Sequence, residues 1–155
     1  MEIILVSTGE KKQVTIQPIT SEDLKLLTKK RYSFLWKKLA DEASLFKLCL
    51  MGEEDILGVM ALVDFQDDQR IEIKLLATSI ENVGKSKMYD GIAGLLVAYA
   101  CREAVKKYAD MACVSLVPKT KLRSHYIEKY GMMVAGKHLF LEGNSLKTIL
   151  LKHLS

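Results

Sequence analysis

From Gly91 to Cys101 the chain runs for eleven residues without a charge, Gly-Ile-Ala-Gly-Leu-Leu-Val-Ala-Tyr-Ala-Cys. Charges return only at Arg102, Glu103, Lys106 and Lys107. Residues 91–108 therefore read as a helix whose first half has no polar face, and such a helix must be enclosed. A bilayer would require about 20 apolar residues, so the surroundings must be protein. With 155 residues in all, close to the commonest domain size, one domain spanning residues 1–155 is expected.

The flanks of this helix decide the topology. Arg70–Thr78 before it and residues 111–117 after it are strand-like, the second closed by Pro118. Strand, helix and strand at this spacing form a βαβ unit, so the two strands should run parallel. Other breaks are too short for a crossover. Residues 3–7 and 13–18 flank Thr8-Gly9-Glu10 as a first hairpin, and residues 44–51, 56–64 and 70–78 follow one another as an antiparallel meander. Thr20, three residues before Asp23, is a helix cap, and one helix is expected from there to about Ala40, with Leu24, Leu27, Phe34, Leu35 and Leu39 along one face. A second helix, residues 121–130, should end at Gly131. Residues 137–142 and 145–151 around Gly143-Asn144 read as a closing hairpin. The expected class is α/β (α+β mixed): a mixed, mostly antiparallel central sheet with one parallel βαβ crossover and helices on both faces.

Charge narrows the partners. Residues 1–80 carry 11 basic against 13 acidic side chains, a net of −2, and residues 81–155 carry 12 against 6, a net of +6. The basic half should attract an anion, either nucleic acid or a phosphorylated cofactor. Its cations are scattered over several elements, which disfavours a nucleic-acid face. Cys49, Cys101 and Cys113 are odd in number and widely spaced, matching neither a zinc site nor a disulfide scaffold. Residues 1–6 lack the basic start of a secretory signal. The expectation is a cytoplasmic protein, with no membrane or nucleic-acid partner and no metal, as a monomer or homodimer.

The start of the apolar helix carries the first chemistry. Its opening turn leaves backbone N–H groups unpaired at the positive end of the helix dipole, and Gly91, Ala93 and Gly94 would let a pyrophosphate approach closely. Lys85 and Lys87 stand just upstream. Small residues also serve close helix–sheet packing, so this pattern alone admits both readings.

The order of elements, with Glu-Asn-Val-Gly-Lys at 81–85, Met-Tyr-Asp-Gly-Ile-Ala at 88–93 and Tyr-Ile-Glu-Lys-Tyr-Gly-Met at 126–132, is similar to the GNAT superfamily of N-acetyltransferases over nearly the whole chain. In that family the window before the central helix reads Arg/Gln-x-x-Gly-x-Gly/Ala. Gly91 and Ala93 match it, and Met88 stands in the basic or amide place. The resemblance implies acetyl-CoA as co-substrate and a primary amine as acceptor. It places the cofactor on Leu76, Ala77, Thr78, Gly84, Lys85, Lys87, Met88, Gly91, Ile92, Ala93 and Gly94, with the pantetheine arm pairing beside Leu76 and Thr78. A GNAT-like domain that binds acyl-CoA without transferring it is the alternative.

Acetyl transfer to an amine needs a base and a proton donor. Glu72, between Ile71 and Ile73, is the candidate base; its other reading is a solvated carboxylate on an outer face. The family's tyrosine, four residues before the helix-ending glycine, corresponds to Ile127. Tyr126 is the neighbouring candidate donor, about 100° around the helix, or else a core residue. Ser124-His125 has no third member for a triad, and His138 and His153 have no ligand-type spacing. Lys119, Lys121 and Arg123 are either a 3′-phosphate site or a solvated helix start. Tyr32 and Trp36 either line an acceptor pocket or pack.

Overall fold

The computed structural model describes residues 1–154. The first reversal joins β1 (Glu2–Leu5) to β2 (Glu10–Pro18), antiparallel with Leu5 opposite Glu10. Thr20 then caps α1 (Ser21–Leu26) in a reciprocal box with Asp23, each side chain meeting the other residue's backbone N–H.

The single long helix expected from Thr20 to Ala40 does not form. Thr28 starts a new turn, its hydroxyl accepting from Arg31 N–H, so α2 is only Lys29–Tyr32. Ser33 ends it at φ 72°, and a 3-10 turn follows at Trp36–Leu39. The break is a consequence of burial. Leu27 and Tyr32 are both enclosed, although five residues apart they would stand about 140° around one straight helix. Tyr32 Oη donates to Ile56 O at 2.7 Å and Trp36 Nε1 to Tyr32 O at 3.0 Å, so both residues pack rather than line a pocket.

The meander follows as β3 (Ser44–Leu50), β4 (Ile56–Phe65) and β5 (Arg70–Thr78). The loop after β5 carries a 3-10 turn at Ile80–Asn82 and an unexpected two-residue strand, β6 (Tyr89–Asp90), which pairs with β1. The uncharged run begins α3 (Ile92–Tyr108), and it is enclosed as required: Leu96, Val97, Ala98, Ala100 and Cys101 have no exposed surface.

A short β7 (Cys113–Leu116) is followed by α4 (Arg123–Tyr130), capped by Gly131. The end of the chain departs from expectation. The closing hairpin is β8 (Met133–Ala135) with β9 (His138–Glu142), turning at Gly136-Lys137. Residues 143–154 form α5 (Gly143–Leu154), not a strand. Leu146 and Ile149, three apart, are its buried positions, a helical spacing. Ser145 Oγ accepts from Glu142 N–H in its first turn.

The strand order is β6-β1-β2-β3-β4-β5-β7-β9-β8. The sheet is mixed and mostly antiparallel. Its parallel pair is β5 with β7, Arg70–Ile73 alongside Cys113–Leu116, as the βαβ spacing requires. Residues group into two compact units, Met1–Ala61 with Leu76–Leu96, and Leu62–Leu75 with Val97–Ser155. In the first, Ile3, Val14, Leu48, Val59 and Ile92 form the apolar interior. Gly58 on β4 is needed there, since a Cβ at this position would stand 2.7 Å from Ile92 Cγ2. In the second, Ile71, Val114, Leu139, Leu141 and Leu146 are the core. Among the described residues no helix is long and apolar enough to cross a membrane.

Candidate functional site

In the first unit the loop from β5 to α3 is held by Asn82, a residue whose role was not legible in the sequence. Its side chain is buried. Its Nδ2 donates to Ser79 Oγ at 2.9 Å and its Oδ1 accepts from Tyr89 N–H at 2.8 Å. Thr78 Oγ1 donates to Asn82 O. From outside, the Arg31 guanidinium clamps Glu81 and forms a two-point contact with Asp55, at 2.8 and 3.0 Å. That bonding holds the Glu81 carboxyl below its usual range.

This scaffold sorts the expected cofactor residues. Met88 is exposed, but its backbone is committed: its N–H donates to Glu81 O and its C=O accepts from Val6 N–H. Lys87 pairs with Asp90 at 2.8 Å. Gly84 and Lys85 are exposed at the loop tip, Leu76 and Thr78 are half-buried and Ala77 is buried. Gly91 sits at φ 103°, a conformation that a side chain would strain, and its carbonyl accepts from Leu95 N–H to begin α3. The next three amides, of Ile92, Ala93 and Gly94, belong to the first turn and have no acceptor within the helix. The Ile92 side chain and Gly94 are buried, so these positions can offer a ligand only their backbone. A phosphate-bearing group fits such a start: amides, a conformation only glycine holds easily, and no side chain projecting from position 91.

In the second unit Glu72 is not the solvated carboxylate that alternation allowed. It is 7% exposed, at the centre of a polar cluster. Arg70 Nη1 donates to Glu72 Oε1 at 3.2 Å and to Ser115 Oγ at 2.6 Å, while Arg70 Nη2 donates to Asp68 at 3.1 Å. The Phe65 ring lies under the guanidinium, 4.4 Å away. His138 Nε2 lies 2.9 Å from the same Oε1. His138 had no motif to mark it; the cross-sheet pairing of β5, β7 and β9 brings it to Glu72.

Tyr126 is half-buried, and burial raises its pKa. Its ring partners are Tyr130 at 5.7 Å and His125 at 6.0 Å. Arg123 donates to the carbonyls of Gly136 and Lys137, while Lys119 and Lys121 are exposed on the approach to α4.

No protein-family model and no curated protein matches the sequence. Solved structures do. The chain is similar to a spermidine/spermine N-acetyltransferase from Vibrio cholerae, at 15% identity and TM-score 0.64 over 88% of this chain and 97% of that one. A GNAT family acetyltransferase from Elizabethkingia anophelis, solved with acetyl-CoA bound, matches at 18% identity and TM-score 0.60 over 84% and 99%. A putative streptothricin acetyltransferase from Bacillus anthracis, in complex with acetyl coenzyme A, matches at 11% and 0.62 over 85% and 98%. At such low identity the likeness is one of architecture: the chain has the fold of the GNAT acetyltransferases.

Proposed function

We propose that this chain moves an acetyl group from acetyl-CoA to a primary amine of a small molecule or protein. The observation that carries the proposal is the start of α3, where Gly91 at φ 103° precedes a turn of unpaired amides on a loop fixed by Asn82. β5 supports it, because its parallel ladder stops at Ile73 while the strand continues to Thr78. An extended pantetheine arm would pair along Leu76–Thr78 as an added strand. The pyrophosphate would meet the amides of Ile92, Ala93 and Gly94, with the charge of Lys85 nearby. Gly84, Lys87 and Met88 would shape the loop around it rather than supply free donors, since the Met88 amide and the Lys87 ammonium are already engaged.

When bound, acetyl-CoA supplies the acetyl group as a thioester. The protein's part is to take a proton from the amine at the Glu72 cluster and to return one to the departing sulfur. Tyr126 is the proposed donor; burial keeps its hydroxyl protonated to higher pH than usual.

Ile127 at the family's tyrosine position and the Lys87–Asp90 pair favour a second reading, an acyl-CoA sensor without transferase activity. One pair of measurements decides. Acetyl-CoA should raise the melting temperature, since a ligand bound only by the folded state stabilises it, and thiol release with a panel of amines should show turnover. A thermal shift without thiol release would leave the sensor; no shift at all would remove both readings.

A further inference from the structure

We infer that the group receiving the amine's proton is His138, and that Glu72 is the carboxylate that positions it. This assignment rests on the acetyltransferase reading and specifies its proton path.

The geometry separates the two side chains by exposure. The Glu72 side chain is 10% exposed, and Oε1 already receives Arg70 Nη1 at 3.2 Å and His138 Nε2 at 2.9 Å. His138 is 34% exposed, so of the two it is the imidazole that a solvent-borne amine reaches. A carboxylate oxygen accepts, so Nε2 carries the hydrogen in this bond. In its neutral form the ring then presents Nδ1 as a lone pair. A buried carboxylate fixing the tautomer of a more exposed imidazole is the arrangement that turns histidine into an oriented base.

The rest of the cluster holds the carboxylate still. Arg70 is fastened to Ser115, to Asp68 and to the Phe65 face. Ser115 is 2% exposed, on β7, opposite Glu72 on one side and Phe140 of β9 on the other. Three adjacent strands thus set the Glu72–His138 distance. The imidazole meets Glu72, which Arg70 also bonds; Lys137 precedes it in the chain, and Arg123 of α4 donates to the carbonyls of Gly136 and Lys137.

The proton balance is simple. His138 Nδ1 takes one proton from the ammonium form of the acceptor. The neutral nitrogen then forms the C–N bond as the thioester C–S bond breaks. Tyr126 gives the departing sulfur its proton, the second nitrogen proton restores the Tyr126 hydroxyl, and the imidazolium passes its proton to water.

His138→Gln tests the assignment, because an amide nitrogen can still donate to Glu72 Oε1 and keep the cluster folded. The expected result is a fall in kcat/KM of about 10²-fold or more, the usual size of an oriented proton transfer. The acetyl-CoA thermal shift should be unchanged. Glu72→Gln and the double variant should cost about as much as His138→Gln alone, since residues acting as one unit are not additive. Nitrogen NMR of the imidazole adds a readout independent of turnover: His138 should be the Nε2–H tautomer in the wild type and lose that preference in Glu72→Leu. Wild-type turnover in His138→Gln, with the acetyl-CoA shift preserved, would overturn the assignment and leave the acetyltransferase reading standing. A wild-type protein that acetyl-CoA does not stabilise would remove that reading and the assignment with it.

Discussion

Alternation along β5 sets Glu72 opposite to Ile71 and Ile73, and by period alone a glutamate in that place belongs in water. It is buried because β7 and β9 bring Ser115 and His138 to it and Arg70 bonds it from its own strand. Glu72→Gln should therefore lower kcat/KM by about 10²-fold and leave the acetyl-CoA thermal shift intact; steady-state kinetics beside a melting curve checks both halves. Tyr126→Phe should cost less, under about 10-fold, since a thiolate can leave without full protonation. If a falling limb is present at high pH, this variant should lose it. Gly58 is a residue-scale constraint of another kind. An added Cβ at 2.7 Å from Ile92 Cγ2 cannot be accommodated without a shift. Gly58→Ala should thus destabilise the protein by about 1–3 kcal/mol, the common size of overpacking, read as a lower denaturation midpoint with an unchanged slope.

At the scale of elements, the two corrections have one cause. Residues 20–40 and 143–154 each hold a pattern that two local structures could satisfy, and burial chose between them. In the first segment, enclosing both Leu27 and Tyr32, which one helix would turn about 140° apart, goes with the breaks at Thr28 and Ser33. In the second, Gly143-Asn144 looks like a hairpin turn, but Leu146 and Ile149 bury together only on a helix. α5 also carries a titration. His153 packs against the Tyr130 ring at 6.5 Å, and its Nε2 is buried with no hydrogen-bond partner among the described residues. Burial foremost, then Lys152 and Lys129, lower its pKa from the ordinary histidine value of 6.5. The unfolded chain therefore binds the proton more readily than the folded one. The stability tied to neutral His153 is present above pH 6.5 and is lost as pH falls below it. Between pH 7 and pH 5 the melting temperature should drop, and His153→Leu should reduce that drop. An equal drop in the variant would mean that other groups carry it.

For the whole molecule, the test is whether the α3 start governs cofactor binding. Gly91→Glu places a carboxylate where phosphate is proposed to sit and imposes a side chain on φ 103°. It should abolish stabilisation by acetyl-CoA while the variant still unfolds cooperatively, as followed by circular dichroism with and without ligand. A full shift in that variant would mean that the phosphates bind elsewhere.

The sequence by itself determined the parallel crossover, the meander and the enclosed helix. Eleven uncharged residues admit only burial, and tight polar breaks admit only antiparallel neighbours. It also placed Gly91 and Ala93 at the start of that helix, because where an uncharged run begins is a local property of the chain. The tertiary structure alone decided three things: the broken helix at Thr28 and Ser33, the helical end after Gly143, and the meeting of Glu72 with His138. The first two turned on which apolar side chains could be buried together, a condition that no window of local sequence contains. The last joins residues 66 positions apart. That separation has no period or motif to announce it, and only the register of β5, β7 and β9 closes it to hydrogen-bond distance.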